Sequence, residues 1–216
     1  MTSPLRAAHA PRSIVVIGAS ENPDKIGGRP LYYLGKHGFR GDVWGINPKR
    51  TETQGFATFP SLDALPGVPD AAIVAVPGAA AITAVEQCAQ AGVKLCVVMA
   101  SGFGETGTDE GRAGERRMRE VARAAGMRVV GPNSQGLANF GTGAVLSFSS
   151  MFLEIPPLDG PVGVVSQSGA MSVVPYYMLR RRGIGVRYAH ATGNDCDVTV
   201  AELAAEMATD PDLRLL

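Results

Sequence analysis

Three runs of the chain, residues 13–17, 71–76 and 93–99, are apolar almost throughout rather than in alternation. An alternating run buries one face of a strand. A continuous one buries both, which is the pattern of parallel strands with helices on either side. Residues 42–46 and 127–130 add two more strand-like segments, and helix-like stretches at 28–36, 79–91 and 109–125 lie between the five. This rhythm predicts an α/β fold with a doubly wound parallel sheet. In the last helix Met118, Val121, Ala122 and Ala125 share one face, and Arg116, Arg117, Arg119 and Arg123 read as a solvated face around them.

The rhythm lapses after Gly131 into a stretch rich in Gly, Ser, Pro and Phe, ending in a linker-like Pro156-Pro157-Leu158-Asp159-Gly160. Strand, helix, strand and helix then follow at 162–165, 169–182, 185–190 and 198–208. An apolar stub at 212–216 stands where the next strand would begin, which reads as a chain stopping inside its second domain. The expected division is a disordered lead-in at 1–11, a first domain at 12–157 and the start of a second at 158–216. The aromatic positions between Phe148 and Phe152 are assigned to core packing ahead of a pocket wall.

Lysine plus arginine and aspartate plus glutamate number 20 each, so no overall field points to nucleic acid or an anionic membrane. No segment reaches the roughly 18 apolar residues that a membrane span needs. Cys88, Cys96 and Cys196 have neither metal-ligand spacing nor the number for a disulfide framework. A cytoplasmic protein without a metal centre is expected.

The turns carry the chemistry. Val162-Gly163-Val164-Val165 breaks at Ser166-Gln167-Ser168-Gly169 and then turns helical, giving an anion site of small residues, hydroxyl donors and a helix N-terminus. The first strand ends in a Gly-rich loop running from Gly18, Ala19 and Ser20 to Lys25, Ile26, Gly27 and Gly28. Its order is that of a dinucleotide loop, but Ser20 and Pro23 occupy two positions where GxGxxG requires glycine. Asn47-Pro48-Lys49-Arg50 stands where NAD enzymes place an acidic residue for the ribose. A cation pair there fits a phosphorylated ribose, as in NADP or, at the 3′ position, in coenzyme A; a solvated basic turn is the alternative. Ala100-Ser101-Gly102-Phe103-Gly104-Glu105 and Gly131-Pro132-Asn133-Ser134 close two more strands, so four turns line one rim, long enough for a pantetheine arm or a nicotinamide. Ser134 and Ser168 do not fit the GxSxG nucleophile elbow.

With Gly193-Asn194 and Asp197, these motifs resemble, in order, the acyl-CoA synthetases that form a nucleoside diphosphate: the superfamily of succinyl-CoA synthetase α subunits and ADP-forming acetate-CoA ligases. The resemblance implies a CoA-binding Rossmann-like domain followed by an incomplete flavodoxin-like ligase domain. It places the nucleotide phosphates of CoA on Gly18, Ala19, Ser20, Lys25, Ile26, Gly27, Asn47, Pro48 and Lys49. Ala100, Ser101, Gly102, Asn133 and Ser134 then lie along the pantetheine. Ser166, Gln167, Ser168 and Gly169 resemble the helix N-terminus that steadies a phosphohistidine. The family's histidine lies downstream of Gly193-Asn194, beyond Leu216, so none of His9 (loose N-terminus), His37 (helix end) and His190 (structural, at a strand end) is expected to be the nucleophile. The implied ligation turns acid, CoA and a nucleoside triphosphate into acyl-CoA, diphosphate and phosphate, with an ATP-grasp β subunit or C-terminal segment as partner. A non-catalytic CoA-binding regulator or scaffold and an NADP-dependent oxidoreductase are the competing readings.

Overall fold

The computed structural model describes residues 5–216. Its elements run α1 (Arg6–His9), β1 (Ser13–Ile17), α2 (Arg29–Lys36), β2 (Asp42–Ile46), β3 (Glu52–Thr53), β4 (Phe56–Phe59), β5 (Ala71–Val74) and α3 (Ala79–Ala91). There follow β6 (Leu95–Val98), α4 (Asp109–Ala124), β7 (Arg128–Val130), β8 (Gly136–Asn139), β9 (Ala144–Ser147), α5 (Met151–Glu154), β10 (Val162–Ser166), α6 (Gly169–Arg181), β11 (Val186–Ala191) and α7 (Val200–Met207).

The first sheet has the order β3-β4-β2-β1-β5-β6-β7, parallel except where β3 pairs antiparallel with β4. Every residue of β1, β5 and β6 is buried, as the continuous apolar runs require. Alternate side chains feed two cores. Val15, Val74 and Val98 pack on one face with Val85 of α3 and Met118 of α4; Ile14, Ile73 and Val97 pack on the other with Leu31 and Leu34 of α2. The chain leaves β1 in one direction to β2 and returns to its other side as β5, so the order reverses at β1 and opens a crevice beyond the strand ends.

The stretch read as irregular after Gly131 contains two strands. β8 and β9 form an antiparallel hairpin, and β8 pairs antiparallel with β11, giving a second sheet of order β10-β11-β8-β9. Hydrogen bonding therefore changes partner after β7, and 136–147 belong to the second sheet. Small residues such as Gly136, Ala138 and Ala144 hid these strands, since they give no β-branched signal. The β3–β4 hairpin was hidden by the turn residues Gln54 and Gly55 in a ladder only two residue pairs deep.

The N-terminal segment is also ordered where it is described. Leu5, Ala7 and Ala8 join the core of the first sheet, and His9 is 7% exposed. The expected lead-in thus packs from residue 5 onward, and residues 1–4 lie outside the described part. Phe152 is buried among the rings of Tyr33, Phe140 and Tyr176, as core packing requires. At the far end Leu215 bridges Val162 in parallel, on the side of β10 away from β11.

Candidate functional site

The loop after β1 folds back on itself because two glycines let backbone pass backbone. A Cβ on Gly27 would collide with the Gly18 carbonyl, and one on Gly28 with the Asn22 carbonyl. Gly18 itself sits at φ 88°. Arg29, 8% exposed, ties the loop to α2 by donating to the Pro23 carbonyl at 2.6 Å and the Asp24 carboxylate at 2.7 Å. The loop's carbonyl oxygens are held by side-chain amides. Asn47 Nδ2 donates to the Ala19 carbonyl at 2.9 Å, and Gln54 Nε2 donates to those of Ser20 and Gly28 at 2.8 and 3.0 Å. Among the described residues the N–H groups of Ile26 and Gly27 make no hydrogen bond. Lys25 and Lys49 are exposed and form no ion pair there, whereas Arg50 lies 3.6 Å from Glu21. The two loops at the switch point of the sheet thus carry unbonded N–H donors and two lysines without an ion pair, a set suited to phosphate.

The structure brings the turns after β1, β2, β6 and β7 to one edge of the first sheet, as the parallel order demands. Ser101 and Gly102 are exposed, and Asn133 is exposed at φ 57° with its N–H bonded to the Ala100 carbonyl at 2.8 Å. Ser134 differs from its neighbours. It is fully buried, its hydroxyl donates to the Ala191 carbonyl at 2.6 Å and accepts from the Gly136 N–H at 2.9 Å. Its side chain joins the two sheets.

The turn after β10 faces the same edge. Ser168 is the N-cap of α6, accepting from the Met171 N–H at 3.4 Å, and Ser166 accepts from the Ser168 N–H at 3.2 Å. The turn itself is free of carboxylates, but the fold places two beside it. Gly104, Glu105, Arg112, Glu115, Asn133, Gln167, Ser168, Gly193 and Asn194 line a cleft of about 550 Å³. Asn194 Nδ2 donates to Glu105 at 2.5 Å and to Glu115 at 2.6 Å. Burial would raise the Glu105 carboxyl, but bonds from the Gly102 N–H, the Asn194 amide and the Phe103 N–H hold it below its ordinary value. Glu105 and Glu115 lie 89 and 79 positions from Asn194, so no local motif could have joined them.

Asp197 fastens the second sheet to the first. Its carboxylate is fully buried and accepts from Arg123 at 2.7 Å, Arg128 at 2.8 Å and the Val129 N–H at 2.9 Å. Arg123, with a side chain still 59% exposed as its helix face suggested, is therefore also an anchor. His190 is fully buried: Nδ1 accepts from the Ala138 N–H at 3.2 Å, and Nε2 lies 3.2 Å from His9 Nδ1. His9, expected in a loose terminus, is part of this buried pair.

A family model described as a CoA binding domain matches residues 12–139. This chain belongs to the CoA-binding-domain family. The succinyl-CoA ligase-like flavodoxin domain matches residues 159–216. The chain is 33% identical over 98% of its length to the α subunit of ADP-forming acetate–CoA ligase I of Pyrococcus furiosus, covering 46% of that protein. It is 33% identical over 95% of its length to a trans-feruloyl-CoA synthase from an unknown prokaryotic organism, covering 29% of it. The dinucleotide forming acetyl-coenzyme A synthetase 1 of Ca. Korarchaeum cryptofilum superposes with a TM-score of 0.88 at 32% identity, over 97% of this chain and 44% of that one. The chain thus spans less than half the length of these relatives. Among the described residues no helix is long and apolar enough to cross a membrane.

Proposed function

We propose that this chain is the CoA-binding portion of an ADP-forming acyl-CoA synthetase. The observation that carries the reading is the loop 18–28. Its carbonyls are held by Asn47 and Gln54, its Ile26 and Gly27 N–H groups remain unbonded among the described residues, and Lys25 and Lys49 stand unpaired beside it. A nucleotide with an additional ribose phosphate suits that set. Asn47 donates to the Ala19 carbonyl and accepts from the Lys49 N–H at 3.0 Å, so an amide already engaged stands at the end of β2 where an acidic residue would hold a free ribose 2′-hydroxyl.

In this reading the nucleotide phosphates of CoA rest on 18–20, 25–27 and 47–49. The thiol arm runs past Ala100, Ser101, Gly102 and Asn133 toward the turn Ser166–Gly169. Ser134 contributes by holding that rim, since its hydroxyl is engaged inside the fold. CoA supplies the thiol that takes the acyl group from an acyl phosphate, and these residues bind and orient it. His190 is fully buried, with Nδ1 accepting from the Ala138 N–H and Nε2 set against His9, so it does not serve as a phosphoryl carrier. The phosphorylated histidine and the nucleotide machinery are assigned to sequence beyond these residues or to an ATP-grasp partner.

Calorimetric titration of the purified chain with CoA, and separately with NADP, tests this. Saturable CoA binding without NADP binding is expected. Binding of NADP alone would overturn the reading in favour of an oxidoreductase.

A further inference from the structure

The β3–β4 hairpin stands outside the strand-end turns that line the rim, and its tip does something the binding motifs do not account for. Gln54 sits at that tip with φ 52°, a left-handed backbone uncommon for a residue with a side chain. From there its one amide group reaches both ends of the loop after β1, donating to the Ser20 carbonyl at 2.8 Å and the Gly28 carbonyl at 3.0 Å. Its own backbone N–H donates to Glu21 at 3.2 Å, and Glu21 in turn lies 3.6 Å from Arg50. The hairpin thus grips the loop at its entry, at its exit and through one side chain between them.

We propose that Gln54 is a positioning residue for the phosphate-binding loop, a role that rests on the CoA reading above. A peptide group presents its N–H opposite its C=O, so fixing the carbonyls of 20 and 28 restrains the direction in which the intervening N–H groups point. The unbonded Ile26 and Gly27 N–H groups lie inside that span. Without the clamp the loop samples several arrangements, and a phosphate must select the one with converging donors. Gln54 is too remote in type to be a ligand for this purpose: both amide hydrogens are already donated to the loop. It acts through the backbone.

Gln54→Met keeps the side-chain length and removes both donors. Calorimetry on the full chain should show CoA and dephospho-CoA each weakened about tenfold, the equivalent of two ordinary hydrogen bonds. The two ligands should lose affinity by the same factor, because a loop that holds the shared pyrophosphate does not distinguish them. Amide hydrogen exchange of 18–28 should speed up while the strands of the first sheet keep their protection. If the Met variant fails to fold, Gln54→Gly, which relieves the left-handed backbone, carries the same test. Unchanged affinity of a folded variant for CoA overturns the positioning role while leaving the CoA reading intact. A loss confined to CoA also overturns it, since that would place Gln54 at the ribose phosphate. If the unaltered chain binds no CoA, the functional reading itself fails, and the exchange experiment alone judges the clamp.

Discussion

The two sheets share apolar packing and differ in the polar bonds added to it. In the first, β1, β5 and β6 are buried along their whole length, with one face filled around Val15, Val74 and Val98 and the other around Ile14, Ile73 and Val97. The second has an apolar cluster of its own, with Val145, Phe152, Val173 and Tyr176, and adds polar joints to it: the His9–His190 pair, Asn139 donating to the His9 carbonyl at 2.7 Å, Ser134 on the Ala191 carbonyl, and Asp197 between two arginines. The difference teaches where each part draws its specificity. Apolar burial is strong but indifferent to partner, whereas a buried polar group is costly unless one particular partner is in place. The first sheet makes a rigid platform for the rim, and the second is fixed upon it in one register.

Removing Asp197 breaks this contrast most severely. Asp197→Ala leaves Arg128 half-satisfied and the Val129 N–H without its acceptor, and should cost about 3 kcal/mol or more in urea unfolding. A cost under about 1 kcal/mol would show that the polar joint is dispensable.

Acid should loosen the second sheet before the first. Burial pushes the His9 imidazole down to about 4 against a weaker opposing pull from Asp210, and burial followed by the neighbouring His9 drives His190 well below its ordinary value. The unfolded chain therefore takes up these protons first. The stabilisation is fully present above the unfolded histidine value of about 6.5 and falls as pH drops from there, levelling for His9 near 4. Between pH 7 and pH 5 the loss from His9 should be about 2 kcal/mol. Urea midpoints at the two pH values should move less in His9→Leu than in the parent, and hydrogen exchange should report opening at β8 and β11 ahead of β1 and β5.

On the rim of the first sheet, Lys49→Ala should weaken CoA about tenfold and dephospho-CoA less than twofold, as loss of one charge-assisted bond predicts. Calorimetry with both ligands reads this directly, and equal losses would detach Lys49 from the 3′-phosphate. The smallest expected effect compares two helix caps of the second region. Thr199 forms a full capping box with Glu202, while Ser168 accepts only one long bond of 3.4 Å. Thr199→Ala should cost about 1 kcal/mol and Ser168→Ala about half that. Equal losses in thermal unfolding would mean that the Ser168 hydroxyl is committed to its helix and not available to a ligand.

Much of the first sheet was legible because burial on both faces leaves a local mark: five strands and three helices stand close to their expected positions, and the turns between them contain the proposed CoA contacts. Gly27 and Gly28 could be recognised as loop residues without knowing which carbonyls they pass. The antiparallel β8 and β9 were not legible, since Gly136, Ala138 and Ala144 declare no preference until β11 and α2 lie against them. Gln54 gave no signal for the same reason.

The sequence by itself determined the parallel α/β platform, the order of the turns proposed to hold the ligand and the family they resemble, because hydrophobic periodicity and small-residue turns act over a few residues. Only the tertiary structure decided that Ser134 and Arg123 are fasteners, that His9 is buried against His190, and that Glu105 and Glu115 meet at Asn194. Each of those roles depends on a polar partner at least 57 positions away in the chain. A hydrogen bond has no sequence period, so its partner is fixed by the fold as a whole.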